Sequence, residues 1–252
     1  MKIAVCVKQV VTRETQVRVN AGGSWIRDDA ASWALNEPDA YALEEGLRLK
    51  ERHGGEVIAV SAGPARVAQV LRESLARGAD RAIHVAGDHL AEADAATTAQ
   101  VLAVALAEEK VDLVLTGLQS DDQGFAQVGV VLAERLSMAH STIIMNIEAG
   151  EGSLRVKREL EGGWFQWVTL PFPAVLTIQS GINQLRYATL KGIMAAKKKD
   201  LRVVPAPAPG TPTTRIVSVY VPEKAKQTRL IAGTPAEAAA ELVRVLKDER
   251  AI

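Results

Sequence analysis

Cysteine occurs once, at Cys6, which excludes an internal disulfide and any metal site built on cysteine pairs. Histidine is also scarce. His53, His84, His89 and His140 stand at no metal-ligand spacing such as H-E-x-x-H and read as surface or structural residues. A surplus of positive charge is missing: 30 Lys and Arg balance 30 Asp and Glu, which argues against a protein devoted to nucleic acid. No run is long and apolar enough to span a bilayer. The stretch "KIAVCV" is too short for a signal h-region and lacks a small-residue cleavage pattern. With a lone thiol, this leads to the expectation of a reducing, cytoplasmic location. The hydrolase elbow G-x-S-x-G, the Walker A loop and G-x-G-x-x-G are all missing. Cys6 lies inside an apolar stretch and reads as a small core residue.

What is present is an alternation. The chain of 252 residues is 48% hydrophobic and 24% charged, enough for one large folded domain with extensions. Short Val/Ile-rich runs predict strands at 2–10, 56–63, 81–87 and 111–117. Between them, amphipathic stretches predict helices at 38–55, 64–80 (stopping near Gly78), 92–110 and 125–136. Such alternation implies parallel βαβ units with helices on both faces of the sheet. "SLRVKREL" and "WFQWVTL" around "EGG" read as a β-hairpin, followed by a strand at 173–181 and a helix at 188–199. The Pro-rich 205–215 reads as a semi-rigid linker to a strand at 216–221 and a helix at 235–250. The expected division is therefore 1–204, with 205–252 as an arm.

In such sheets ligands bind at the carboxyl ends of the strands. The loop "TGLQSDDQGFAQVG" (116–129) follows one strand and opens a helix, whose free N–H groups suit a phosphate. Asp121 and Asp122 can accept ribose hydroxyls or cap that helix. Asn36 can cap its helix or touch a base or ribose, the cap being favoured locally. "SAGPA" ends a strand with little side chain to obstruct a flat ring, or is a plain turn. Trp25, Trp33, Trp164 and Trp167 read as packing residues. The pairs Glu44–Glu45 and Glu108–Glu109 read as solvated helix faces. No nucleophile, metal site or acid–base pair stands out, so the residues describe a nucleotide-binding α/β domain without bond chemistry of its own.

Several stretches together resemble one family. "VKRELEGGWFQWVTLPFPAVLT" (156–177) is similar to the signature region of the electron transfer flavoprotein (ETF) β subunit, through Arg158, Glu161, Gly162, Gly163, Gln166, Val168, Pro173, Val175, Leu176 and Thr177. "RYATLKGIMAAKKK" (186–199) resembles its partner-recognition loop. "LNEPDAYALEEGLRLKE", "VIAVSAGPA", "GADRAIHV" and "VDLVLTGLQSDDQG" follow in the family's order.

The resemblance implies a Rossmann-like, adenine nucleotide α-hydrolase-like parallel sheet flanked by helices, with a β-hairpin and an extended C-terminal arm. It implies a heterodimer with an ETF α subunit that holds most of the electron-transferring FAD, and an arm that wraps that subunit. Electrons would pass from flavin-dependent dehydrogenases to an ETF-quinone oxidoreductase or similar acceptor. The β subunit would hold AMP, or a second FAD, against Cys6, Asn36, Ala62, Gln119, Asp122, Gly124, Phe125, Ala126, Gln127 and Val128. Tyr187, Leu190, Ile193 and Met194 would form an apolar docking tip, with Lys197, Lys198 and Lys199 as a charged rim. The loop form "SDDQGFAQ" looks more like the nitrogen-fixation-associated branch, some members of which bifurcate electrons from NADH. Only in that case would the chain take part in redox catalysis. An ATP-using relative would need an S-G-G-x-D-S-like loop after the first strand, where this chain has "VKQVVTRET".

Overall fold

The computed structural model describes residues 1–27, 29, 31–208, 210–222 and 228–249. The chain parts into two units, Met1–Val219 and Tyr220–Ile252, so 205–219 belong with the first. In chain order, β1 (Lys2–Cys6) is followed by a small pair, β2 (Gln9–Val11) and β3 (Trp33–Leu35). Then come α1 (Glu37–His53), β4 (Glu56–Gly63), α2 (Ala68–Arg77), β5 (Arg81–Ala86), α3 (Ala95–Ala107), β6 (Leu113–Gly117) and α4 (Val128–Leu136). The second half adds β7 (Ala139–Ala149), β8 (Ser153–Glu159), β9 (Phe165–Pro171), β10 (Ala174–Ile178), α5 (Leu190–Ala196) and β11 (Leu201–Pro205). The second unit carries α6 (Pro235–Asp248).

The main sheet runs β11-β5-β4-β1-β6-β10-β7-β8-β9. It is parallel from β11 to β7 and antiparallel through the β8–β9 hairpin. β1 lies between β4 and β6, with Ile3 opposite both Val57 and Leu113. The chain leaves β1 toward β4 and β5, then crosses back to β6. That reversal creates a crevice at the carboxyl ends of β1 and β6.

Alternation along β1 sorts its side chains to the two faces. Ile3 and Val5 join Leu43, Leu47, Leu71 and Leu75 of α1 and α2 in one core. Ala4 and Cys6 join Leu102, Leu106 and Leu132 of α3 and α4 in the other. Each fully buried Leu, Ile or Val contributes about 1.5–3 kcal/mol, so both faces must be covered for the sheet to persist.

The structure differs from the sequence-based expectation in several places. β7 and β11 lie outside every predicted strand. β7 pairs in parallel with β10 at one end and antiparallel with β8 at the other, and a bulge near Ile143, whose φ is 59°, breaks its alternation. Residues 216–221 alternate like a strand but form none. Val217, Tyr220 and Val221 are exposed, and strand propensity without a partner strand does not make a strand. Glu44, Glu45 and Glu109 are buried, not solvated. They are paired to Arg48 and Arg186, to Arg52, and to Arg81 and Arg202 respectively. Trp164 is exposed on the hairpin, and the Arg155 guanidinium lies 4.2 Å above the half-exposed Trp167 ring.

Candidate functional site

The crevice opens into a cavity of about 640 Å³, within the usual range for small-molecule sites. Its floor is the ends of β1, β4 and β6, and one wall is the loop leading into α4. Every sequence-predicted cofactor residue except Gly124 lines it: Cys6, Asn36, Ala62, Gln119, Asp122, Phe125, Ala126, Gln127 and Val128. Gly124 shapes the loop instead, at φ +65° and with its N–H donating to the Ser120 carbonyl at 2.9 Å. Only glycine takes that backbone region without strain. Ala126 shares it at φ 54°. An alanine held there marks a backbone over-determined by its surroundings.

α4 begins at Val128, later than the predicted 125, and neither Asp121 nor Asp122 caps it. The N-cap is Gln127, whose side chain makes no capping bond. Val128 and Gly129, the first residues of α4, line the cavity, and no side chain caps the N–H groups at this positive end of the helix dipole. The helix start can also come close to the sheet. A Cβ on Gly129 would sit 2.5 Å from Thr177 Cγ2 and 2.8 Å from Thr116 Oγ1.

Asn36 stands at the N-cap of α1 but makes no cap bond, so the capping expectation fails. It is 1% exposed, and its amide ties the loop on both sides. Nδ2 donates to the Gln119 carbonyl at 3.0 Å, and Oδ1 accepts the Asp121 N–H at 2.9 Å. Cys6 is buried, and burial, followed by the nearby Asp39 charge, pushes its thiol up to about 12. A thiol held protonated is no nucleophile.

Sequence reasoning missed other lining groups. Asp39, in the first turn of α1, looks like an ordinary acid at a helix start. It is buried and reaches into the crevice, and burial raises its carboxyl to about 7 against the pull of the Lys8 and Gly117 N–H groups. Lys8 falls within the predicted strand 2–10, yet it lies beyond β1 and its ammonium crosses to the loop. At the other end of the cavity lie Trp25 and Trp33, which line open space where packing was expected. The Arg66 guanidinium sits 3.9 Å above the Trp33 ring.

The second predicted group lies apart from the cavity, on and around α5. Tyr187, Leu190, Ile193 and Met194 are exposed together, Leu190 at 78%. Lys197 and Lys198 are exposed beside them. Lys199 turns inward, its Nζ donating to the Leu75 carbonyl at 3.1 Å and the Ala79 carbonyl at 2.6 Å. Arg72 holds the same end through the Ala196 and Lys199 carbonyls, at 2.7 and 3.0 Å.

With both regions in view, comparison with known proteins is decisive. Residues 24–209 match the family described as Electron transfer flavoprotein domain. The chain is 36% identical to the electron transfer flavoprotein subunit beta of Methylophilus methylotrophus, over 98% of each chain. It is 34% identical to that of Bacillus subtilis, over 99% of this chain and 98% of the relative. It is 37% identical to that of Homo sapiens, over 98% and 97%.

The chain belongs to the electron transfer flavoprotein β-subunit family.

The cavity offers two features that could hold a ligand. Backbone N–H groups at the α4 start suit a phosphate, and the small Cys6 and Ala62 at the strand ends leave room for a flat base. Among the described residues there is no cluster of His, Cys, Asp and Glu suited to a metal ion, and no helix is long and apolar enough to cross a membrane.

Proposed function

We propose that this chain pairs with an ETF α subunit and carries electrons from flavin-dependent dehydrogenases to a quinone reductase or similar acceptor. FAD, held mainly by the α subunit, would supply the electron-carrying ring. The β chain's own cavity would hold an adenine nucleotide, with the N–H groups of Ala126, Gln127 and Val128 on its phosphate. The observation that carries this reading is the crevice at the strand reversal, walled by the uncapped start of α4. A buried Cys6, its thiol held protonated, fits a binding role for this cavity.

Two surfaces suit the partners. The tip formed by Tyr187, Leu190, Ile193 and Met194 would enter a pocket on the dehydrogenase, with Lys197 and Lys198 steering the encounter. α6 is fixed by a capping box between Thr234 and Glu237 yet buries none of its residues, and Leu242 and Val243 stay exposed. That face would pack on the α subunit.

One observation favours a second reading, in which the cavity takes a second FAD and the complex bifurcates electrons from NADH. The cavity does not end at the phosphate corner. It continues beneath β2 and β3 to Trp25, Trp33 and Arg66, a place for a second flat ring.

Acid extraction of the co-expressed complex separates the readings. One FAD with one AMP marks the simple carrier, and two FAD without AMP marks the bifurcating type. A colourless chain that recruits no α subunit and holds no nucleotide overturns both.

A further inference from the structure

Lys8 lies just past the end of β1, and its main chain is tied on both sides. Its N–H donates to Asp39 Oδ2 at 2.7 Å, and its carbonyl accepts the Asn36 N–H at 3.0 Å. That fixes where the side chain leaves, at the mouth of the crevice. Its Nζ donates to Ser120 Oγ at 3.2 Å, Asp122 Oδ1 at 2.7 Å and Gln123 Oε1 at 3.0 Å. An ammonium has three donors, and the loop takes all three.

The loop needs such a hold. It carries Gly124 and Ala126 at positive φ immediately before α4. Asp122 Oδ1 also accepts the Gln123 N–H at 2.8 Å, so the carboxylate that pairs with Lys8 is itself part of the turn. Asn36 grips the same loop from the α1 side, at Gln119 and Asp121.

We propose that Lys8 is a positioning residue of the nucleotide site. Its ammonium holds the 119–127 loop in the form that directs the N–H groups of Ala126, Gln127 and Val128 at the phosphate, and it does not itself neutralise that phosphate. The proposal rests on the nucleotide reading above and adds a division of labour: side chains shape the loop, and the main chain binds. A phosphate-binding lysine would behave oppositely in one respect. Removing Asp122 would release that lysine and remove a competing negative charge, so anion affinity would rise. For a positioning lysine, losing Asp122 dismantles the same hold, and affinity falls.

The test uses the complex co-expressed with its α subunit, stripped of nucleotide and titrated calorimetrically with AMP. Where extraction shows FAD in the cavity, FAD is titrated instead. Lys8→Met and Asp122→Ala are each expected to weaken binding by about ten-fold, the scale of one charge-assisted hydrogen bond. The double variant should lose less than the two single losses combined, because both variants remove the shared Lys8–Asp122 pair. Amides 119–128 of the nucleotide-free variants should exchange hydrogen faster than in the wild-type complex. Wild-type affinity in Lys8→Met, or tighter binding in Asp122→Ala, overturns the proposal and leaves the nucleotide reading standing. A wild-type complex that takes up neither AMP nor FAD removes the nucleotide reading, and the proposal with it. Asp122→Ala lies in a surface loop and keeps the proposal falsifiable even if Lys8→Met fails to assemble, because tighter binding in it would mark a phosphate-binding lysine.

Discussion

Asp39 accepts the Gly117 N–H at 2.9 Å, so the first turn of α1 is fastened to the carboxyl end of β6. The same carboxylate accepts the Lys8 N–H beyond β1 and thereby bridges the two strands that border the crevice. A buried acid in this place makes the fold sensitive to pH. Burial raises the Asp39 carboxyl from its ordinary range to about 7, so the folded chain holds this proton more tightly than the unfolded one. The associated stability is complete below the ordinary carboxylate range and is lost as pH rises through about 7. Urea melts of the wild type should therefore weaken between pH 5 and pH 8 by on the order of 1–3 kcal/mol. Asp39→Asn should flatten that slope. An equally steep slope in the variant would assign it to another group.

Gly129→Ala should destabilise the fold by about 1–3 kcal/mol, because the added methyl group meets Thr177 and Thr116 and α4 must move off the sheet. The same displacement moves the Val128 N–H. Retained nucleotide should therefore fall along with the urea midpoint, and a variant that loses neither shows that α4 can adjust freely.

Leu190→Ala should slow electron transfer from a cognate dehydrogenase by about ten-fold or more, the cost of truncating an apolar anchor at an interface. FAD and nucleotide content should stay unchanged, because Leu190 is 78% exposed and lies outside the cavity lining. Lys197→Glu with Lys198→Glu should act differently, lowering the association rate most at low salt. Stopped-flow flavin reduction across ionic strength distinguishes the two effects.

Arg186→Gln should loosen the docking segment without removing any of its tip. Arg186 Nε donates to Glu44 Oε2 at 2.7 Å and Nη1 donates to Glu51 Oε1 at 2.6 Å, while Arg77 reaches the Arg186 carbonyl at 3.4 Å. Burial pushes the Glu44 carboxyl up, but its bonds to Arg186 and Arg48 outweigh that push and hold it below its ordinary range. Glu51 is held low chiefly by its own bond to Arg186. The variant leaves the buried Glu44 with Arg48 as its one remaining cation beside the main-chain N–H of residue 186, at a cost of about 2–4 kcal/mol. Faster hydrogen exchange across 187–196 is the expected readout. Unchanged exchange would show that Arg72 and Lys199 suffice to hold the segment.

Much of this architecture was legible in the sequence because strands such as "EVIAVSAG" are short, apolar and bounded by turn residues. β4 spans the predicted range, Glu56–Gly63. β7 was not legible, because its partners change midway and its burial pattern loses the period of two. In the cavity, the loop before α4 could be found from its glycines and its position after a strand. Lys8 and Asp39 could not. Their role depends on β1 and β6 being neighbours in the sheet, although Lys8 and Asp122 are 114 residues apart in the chain. Asn36 could be found at its turn, but not its role, because only the folded chain shows the loop competing for its amide. Lys199 is equivalent to Lys197 and Lys198 in the sequence, and only the end of α2, with its free carbonyls, sets it apart.

α1 holds the cavity and the proposed docking segment at once. Asn36 and Asp39 grip the cavity at its start, and further along Glu44 and Glu51 grip Arg186 while Arg48 reaches the Gln184 carbonyl just before it. Each residue added to a helix turns everything beyond it by about 100°. One inserted residue between Asp39 and Glu44 would thus swing Glu44 and Glu51 away from Arg186 while the cavity end stayed in place. The interval from Asn36 to Glu51 should therefore act as a fixed ruler in which changes of length are not tolerated.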